Sequence, residues 1–402
     1  MIKITKIAVA TMFASVGLAS IGISNQAHAG SVNDFKNSWE GKALALQRLV
    51  DLDAPIADNN IPGTHNSYNS EVYRSCNFSV GCRYLDPQQK YSIHDQLRLG
   101  ARFIEIDVHW TTKMESLFSY PKRLLMCHGV CSINDKYFTE GLNEVRDWLN
   151  SSDSENQVLI LYVEDHMSGR HDKAYDQIND KIGQWIYRSN GCGAIPSTLT
   201  KAQVLAQGKK VILWGDGGCV NNTNWKTTAF TGLGEIGRIW EDRTTVGGIA
   251  DVFTGGSADL INASDVTRFF KEGANIVNLD DMSPNDGRLA AGIWSWDNQE
   301  PNNAGDQDCA VQWGNGRWDD QQCGYTYLHA CENASSGAWS ISPQTGTWNE
   351  GEQMCQMLGN NWHFSVPTNS RDNQSLKAEK DAAGHSTVWL NHTDQQQEGT
   401  WH

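Results

Sequence analysis

Six residues in the first half of the chain are of types that do chemistry together. His65 and Asn66 stand behind a Pro-Gly-Thr turn in "NIPGTHNSYN" (60–69). Glu105 and Asp107 lie in "FIEIDV", His128 in "CHG" and Glu164 in "LYVED". Glu105 and Asp107 are two apart, so on a strand both point to one face. Ile104, Ile106 and Val108 alternate with them, and an apolar strand gains nothing from two carboxylates on one side unless they find a partner. Asn66, Glu105, Asp107 and Glu164 offer hard oxygen donors, which suit Ca²⁺ or Mg²⁺. Two histidines without a serine or cysteine nucleophile suit acid/base chemistry on a phosphate ester. Taken singly, each has a plainer reading: a strand-end acid is commonly a cap or an ion-pair partner, and a histidine beside a cysteine packs in cores. Six such residues at consecutive strand ends fit one pocket better than six coincidences.

The elements that would position them are visible in the hydropathy pattern. Strand-like runs cover 102–110, 123–128, 157–165, 209–216 and 274–282, and helix-like segments cover 91–101, 139–150, 174–187 and 264–274. Near-continuous apolar strands alternating with helices predict an α/β fold with a parallel sheet covered on both faces. About 260 residues of this rhythm, from residue 30 to 292, fit a TIM-type βα barrel, whose strand ends converge on one active-site rim. A doubly wound sheet would carry a Gly-rich phosphate turn after its first strand, and there is none.

Lys3 and Lys6 precede an apolar run to about Ile23, followed by "AHA" ending at Ala29. This is the layout of a secretory signal peptide over 1–29, which makes the protein an exported one. Loss of those two lysines and no acid moves the net charge from −15 to −17. So acidic a body excludes nucleic acid as a partner. The ten cysteines of an exported chain read as disulfides. Spacing pairs Cys76 with Cys82, Cys127 with Cys131 and Cys192 with Cys219, and leaves Cys309, Cys323, Cys331 and Cys355 as a separate group. Beyond Gly292 the composition shifts to Asn, Gln, Gly and Asp, and nine of the sixteen tryptophans fall there. A small disulfide-bonded α+β domain over 293–402 is expected.

"IPGTHNSY", "LGARFIEIDVHW", "MCHG" and "QVLILYVEDH" resemble the successive motifs of the phosphatidylinositol-specific phospholipase C X-domain family, over residues 55 to 170. His-Asn, Glu-x-Asp, His and Glu follow that family's calcium-dependent pattern. The resemblance implies Ca²⁺ held by Asn66, Glu105, Asp107 and Glu164. It implies attack by the inositol 2-hydroxyl on the phosphodiester, giving a cyclic phosphate. His65 would bond the phosphoryl oxygen and His128 would protonate the departing glycerol oxygen. Glu105 or Glu164 would take the hydroxyl proton, and Cys127 with Cys131 would fix the loop of His128. The substrate would be a phospholipid at a membrane surface. Lys209, Lys210 and Arg288 are the basic residues available for ring phosphates, with no motif to single them out, so a polyphosphorylated headgroup is not expected. "FIEIDVHWTT" also resembles the glycerophosphodiester phosphodiesterases, although their His-Arg-Gly opening is missing.

"WSWDNQEPNNAGDQDCAVQWGNGRWDDQQCGYTYLHACE" resembles the second half of a C-type lectin-like domain. The stretch from "TWNEGEQMCQML" to "STVWLNHTDQQQEGTW" resembles the first half, so the halves stand in swapped order. The resemblance implies Cys309–Cys323 and Cys331–Cys355 disulfides. It also implies a second metal or sugar site at Glu300, Asn302, Asp319 and Asp320, although Asp319 replaces an asparagine. A glycan or a protein would be the ligand, with most tryptophans in the core. The expected function is thus a secreted, calcium-dependent phospholipase C-type phosphodiesterase with an accessory domain. The alternatives are a glycerophosphodiesterase on the same barrel and a non-catalytic lectin or adhesin.

Overall fold

A computed structural model describes residues 32–73, 87–129, 131–243 and 259–402. The expected leader and the expected Cys76–Cys82 pair lie outside the described residues. Eight strands form the first sheet: β1 (Ile61–Thr64), β2 (Phe103–Thr112), β3 (Lys122–Met126), β4 (Leu159–His166), β5 (Ile186–Tyr187), β6 (Val211–Gly215), β7 (Arg238–Trp240) and β8 (Ile276–Leu279). Their order is β5-β6-β4-β2-β1-β8-β7, with β3 attached to β2. Every neighbour along that order is parallel. Helices Ile93–Arg98, Phe138–Leu149, His171–Ile182, Lys201–Ala206 and Ala263–Lys271 alternate with the strands, as the pattern predicts.

The two faces of β2 explain why the sheet rolls up. Ile104, Ile106 and Val108 join the outer core with Leu97, Leu142 and Val145 from the helices. Phe103 joins an inner cluster with Ile160, Tyr162 and Ile212. From β7, the Arg238 guanidinium lies over the rings of Phe103, Tyr162 and Trp214, at 5.2, 4.9 and 5.8 Å. Those rings belong to β2, β4 and β6, so the sheet curls far enough for one end to meet the middle. Among the described residues β5 and β7 are not hydrogen-bonded to each other, and the sheet is a half-barrel where the sequence predicts a closed one.

β3 departs from expectation. It runs antiparallel to β2, with Val108 opposite Met126 and Thr112 opposite Lys122. The cause is the length of the connection: a parallel return needs a crossover of a dozen or more residues, whereas the nine residues between Thr112 and Lys122 make a hairpin.

The C-terminal part builds a second sheet from β9 (Cys309–Gln312), β10 (Trp318–Gln321), β11 (Leu328–Asn333), β12 (Trp339–Ile341), β13 (Trp362–Phe364) and β14 (Val388–Thr393). The order is β10-β9-β14-β11-β12, with β13 on β11. With helices Gly351–Gln356 and Ser370–Ala382 this is a small α+β unit. Cys127–Cys131, Cys192–Cys219, Cys309–Cys323 and Cys331–Cys355 are bonded as expected. Trp296, Trp318 and Trp389 are fully buried, which makes them core.

The second unit packs on the rim of the half-barrel where strands begin. Arg371 pairs with Asp58 at 3.3 Å, and Asn60, just before β1, accepts from Ser370 Oγ at 3.4 Å. Gln47 takes the backbone of Trp294 at 2.7 Å. One continuous apolar cluster runs from the outer face of the first sheet through Trp294 and Trp296 to Leu390 of the second. Among the described residues no helix is long and apolar enough to cross a membrane.

Candidate active site

β2 and β4 pair so that Phe103 stands beside Ile160, Glu105 beside Tyr162, Asp107 beside Glu164 and His109 beside His166. Alternate residues share a face, so these pairs climb the inner wall as four rungs, from an apolar floor to a polar rim. Carboxylate oxygens of Glu105, Asp107 and Glu164 lie within 4.8 Å of one another. Burial, then the charges of Glu164 and Glu105, push the Asp107 carboxyl well above the usual range. This crowding is the state a hard divalent cation relieves, and the donors fit one.

One cation is already built in. Arg238 Nη2 meets Glu105 Oε2 at 2.5 Å, and Asn278 Nδ2 donates to the same oxygen at 3.1 Å. Aromatic rings enclose the guanidinium, with Trp240 at 5.2 Å added to the three already named. It neutralises one of three carboxylates and leaves the cluster short of positive charge.

His65 and Asn66 come to the site from the end of β1. Ser67 N donates to Glu105 O at 3.0 Å, and Glu105 N donates to Ser67 Oγ at 3.0 Å. Gln89 Nε2 holds His65 O at 2.7 Å and Leu279 O at 2.8 Å. Asn66 sits at φ 42°, in the left-handed region that asparagine tolerates better than most side chains. The amide orientation that satisfies its neighbours puts Nδ2 at 3.1 and 3.2 Å from the Asp107 oxygens, with Oδ1 accepting from His65 Nε2 at 3.2 Å. Half a turn of that amide would present its oxygen to the carboxylates, as cation binding requires.

His65 Nδ1 meets Asp280 Oδ1 at 3.2 Å. Burial opposes charge on His65, but the Asp280 hydrogen bond and the negative charges of Glu105, Asp280 and Asp242 prevail and raise its pKa to about 9. Burial raises Asp280 to about 6 despite His65. At neutral pH the pair is therefore imidazolium and carboxylate.

His128 arrives by the hairpin return, not at the end of a parallel strand. Cys127 N reaches Asp107 O at 3.4 Å, beside the site, and the Cys127–Cys131 disulfide brackets the His128 turn. Burial, then the positive charge of His65, lower the His128 pKa, with Glu164 and Glu105 acting the other way. The six predicted residues are thus brought together at one end of the sheet, around Asp107.

Sequence reasoning missed Arg238, Asp280 and the top rung. His109 and His166 stack at 4.3 Å, and His166 Nε2 meets Glu164 Oε1 at 2.7 Å. Their period-two spacing from Asp107 and Glu164 was the available signal. His109 also lies near Cys127 and Cys131, but the disulfide consumes both sulfurs as ligands. Lys209 and Lys210 bond Gln184 O and Ser154 Oγ, at 2.8 and 3.0 Å, on the rim where strands begin, so neither reaches the site. Arg288 does lie on the active side. With Lys90 and Arg243 it lines a cleft of about 610 Å³ next to Asp280, and it donates to Asp280 O at 2.7 Å.

In the second unit Glu300, Asp319 and Asp320 also cluster. Asn302 Nδ2 donates to Glu300 Oε1 at 2.8 Å, and Asp320 accepts from the backbones of Asn302 and Asn303 at 3.2 and 2.6 Å. Burial, then the contact with Asp320 and the charge of Asp319, push Glu300 up to about 7. The four predicted residues are brought together.

A family model described as the Rv2075c PI-PLC-like domain matches residues 22–236, more than half of the chain. The match stops short of Arg238 and Asp280. Uncharacterized protein Rv2075c of Mycobacterium tuberculosis strain H37Rv is 25% identical over 407 residues, covering 88% of this chain and 80% of that protein. Among solved structures, the phosphatidylinositol-specific phospholipase C from Listeria monocytogenes is 15% identical with a TM-score of 0.38, covering 60% of this chain and 94% of its own. A variant of the Staphylococcus aureus enzyme is 13% identical with a TM-score of 0.42, covering 65% and 99%.

Proposed function

The chain belongs to the Rv2075c PI-PLC-like domain family, and from that premise we propose that it cleaves the glycerol–phosphate bond of an inositol phospholipid. The observation that carries the reading is the convergence of the Glu105, Asp107 and Glu164 carboxylates on one wall, with the His65 imidazolium, held by Asp280, near enough for the charge of Glu105 to raise its pKa. Asn66, Glu105, Asp107 and Glu164 would hold Ca²⁺, which when bound would lower the pKa of the inositol 2-hydroxyl and offset phosphate charge. His65, fixed by Asp280, donates to a phosphoryl oxygen as charge builds. Glu105 is tied to Arg238 and Asn278, so Glu164 is the better base for the hydroxyl proton, with His166 against it. The new oxygen–phosphorus bond closes the cyclic phosphate, and the glycerol–oxygen bond to phosphorus breaks. His128 gives the departing oxygen its proton. The negative phosphate beside His128 raises its basicity for that role.

Residues 1–29 fit an export signal. Residues 293–402 are read as a permuted C-type lectin-like unit, supported by their two disulfides and by the Glu300–Asp320 cluster.

Incubation of the protein with labelled phosphatidylinositol tests the reaction. A cyclic inositol phosphate that disappears on chelation and returns with Ca²⁺ is expected. His65→Ala and His128→Ala should each lose about 10²–10⁴-fold in kcat. Turnover of glycerophosphodiesters but not of lipid would favour the glycerophosphodiesterase reading. Unchanged activity in both histidine variants would sink the site assignment.

A further inference from the structure

The hairpin between β2 and β3 has no part in the proposed reaction. Its ladder continues past Thr112 and Lys122 through Lys113 N to Pro121 O, at 2.9 Å, and Glu115 N to Ser119 O, at 3.0 Å. It closes on a Ser116–Ser119 bridge, so the tip is the two-residue turn Leu117–Phe118. Tight hairpin turns of this length favour Gly, Asn or Asp for backbone reasons, and leucine and phenylalanine bring no such advantage. Nor do they bring packing: Leu117 is 78% exposed and Phe118 96%, with Tyr120 at 49%. Ile133, 39% exposed, borders the base, where Met114 N meets Ile133 O at 2.9 Å. Single exposed apolar residues are ordinary, but a contiguous group on a projecting tip marks an interaction surface.

Position and charge identify the partner. β2 carries Glu105 and Asp107 and runs on past His109, its last partner position with β4, so the hairpin stands on the rim that holds the site. Residues 113–123 contain Lys113, Lys122 and Arg123 against Glu115, a local surplus of two positive charges in a chain of net −15. Such a body is repelled by anionic headgroups, and attachment falls to an apolar tip with cations beside it. We propose that the Leu117–Phe118 tip enters the interface of a phospholipid bilayer and sets the active-site rim against it. This rests on the reading of the substrate as a phospholipid.

Vesicle sedimentation tests it, with phosphatidylcholine vesicles with and without phosphatidylinositol. The proteins compared are wild type, the Leu117→Ser/Phe118→Ser double variant and Phe118→Trp. Hydrolysis of water-soluble glycerophosphoinositol is followed in parallel. Each apolar side chain entering the interface is worth about tenfold or more in partition, so the double variant should bind roughly a hundredfold less tightly, while Phe118→Trp keeps wild-type binding. Both exposed substitutions should leave hydrolysis of the soluble diester unchanged. Equal vesicle binding by wild type and double variant overturns the proposal, as does a wild type that binds no vesicle. If vesicle binding follows the tip but no diester is cleaved, the tip assignment stands and the reaction reading falls.

Discussion

Arg238 puts a permanent cation where three carboxylates converge, and it explains how Glu105 is kept inside a half-barrel. With side-chain exposures of 13% and 3%, this is a buried pair, and removing one member leaves the other as an uncompensated buried charge. Arg238→Leu should cost about 3–5 kcal/mol of stability in chelator. Added Ca²⁺ should recover part of that loss, because a ligand that binds only the folded state stabilises it. Thermal melts of the variant with and without Ca²⁺ read this directly. A Ca²⁺-induced shift no larger than that of the wild type would count against the carboxylate cluster as a cation site. The carboxylates were legible in the sequence because period two puts Glu105 and Asp107 on one face. Arg238 was not, since its partner lies 133 residues away and only the curl of the sheet unites them. Asp280 escaped for the same reason, being brought to His65 by the β1–β8 pairing.

At the scale of elements, β1 has only four residues to hold His65 in place. Gly63 faces Phe103 and Asn278 across its two neighbours. A Cβ there would stand 2.8 Å from Phe103 Cβ and 2.9 Å from Phe103 O. Gly63→Ala must therefore push β1 away from β2, at about 1–3 kcal/mol, and carry His65 with it. Denaturant unfolding should register the loss and kcat should fall, whereas Gly193→Ala, with nothing closer than 4.0 Å, should change neither. Wild-type unfolding and activity in Gly63→Ala would contradict the close approach. The helices and parallel strands could be read from periodicity, as Phe138–Leu149 and Leu159–His166 show. The direction of β3 could not, because alternation is the same whichever way a strand runs. The closed ring was inferred from the count of elements, which says nothing about whether β5 meets β7.

Across the whole molecule, burial makes stability depend on acid. His392 is 4% exposed, among Trp296, Trp318 and Trp401. Burial lowers its pKa to about 4, overcoming the backbone of His402, which acts the other way, with the charge of His402 a smaller aid. The folded protein keeps it neutral while the unfolded chain protonates it below about 6.5. Stability is thus full above that pH, falls as pH drops towards 4, and then levels, a loss of at most about 3 kcal/mol. His392→Phe should flatten that part of the pH–stability curve. Equal acid sensitivity in the variant would place the effect elsewhere.

The place of β14 also governs how the molecule is assembled. It is the last strand of its sheet in chain order, yet it lies between β9 and β11. A nascent chain halted before Val388 holds two half-sheets with nothing to join them, and unsatisfied strand edges on both. The apolar cluster shared with the half-barrel waits for the same strand, since Leu390 belongs to it. A chain cut before Val388 should therefore fail to complete either the second sheet or the apolar cluster that ties it to the half-barrel.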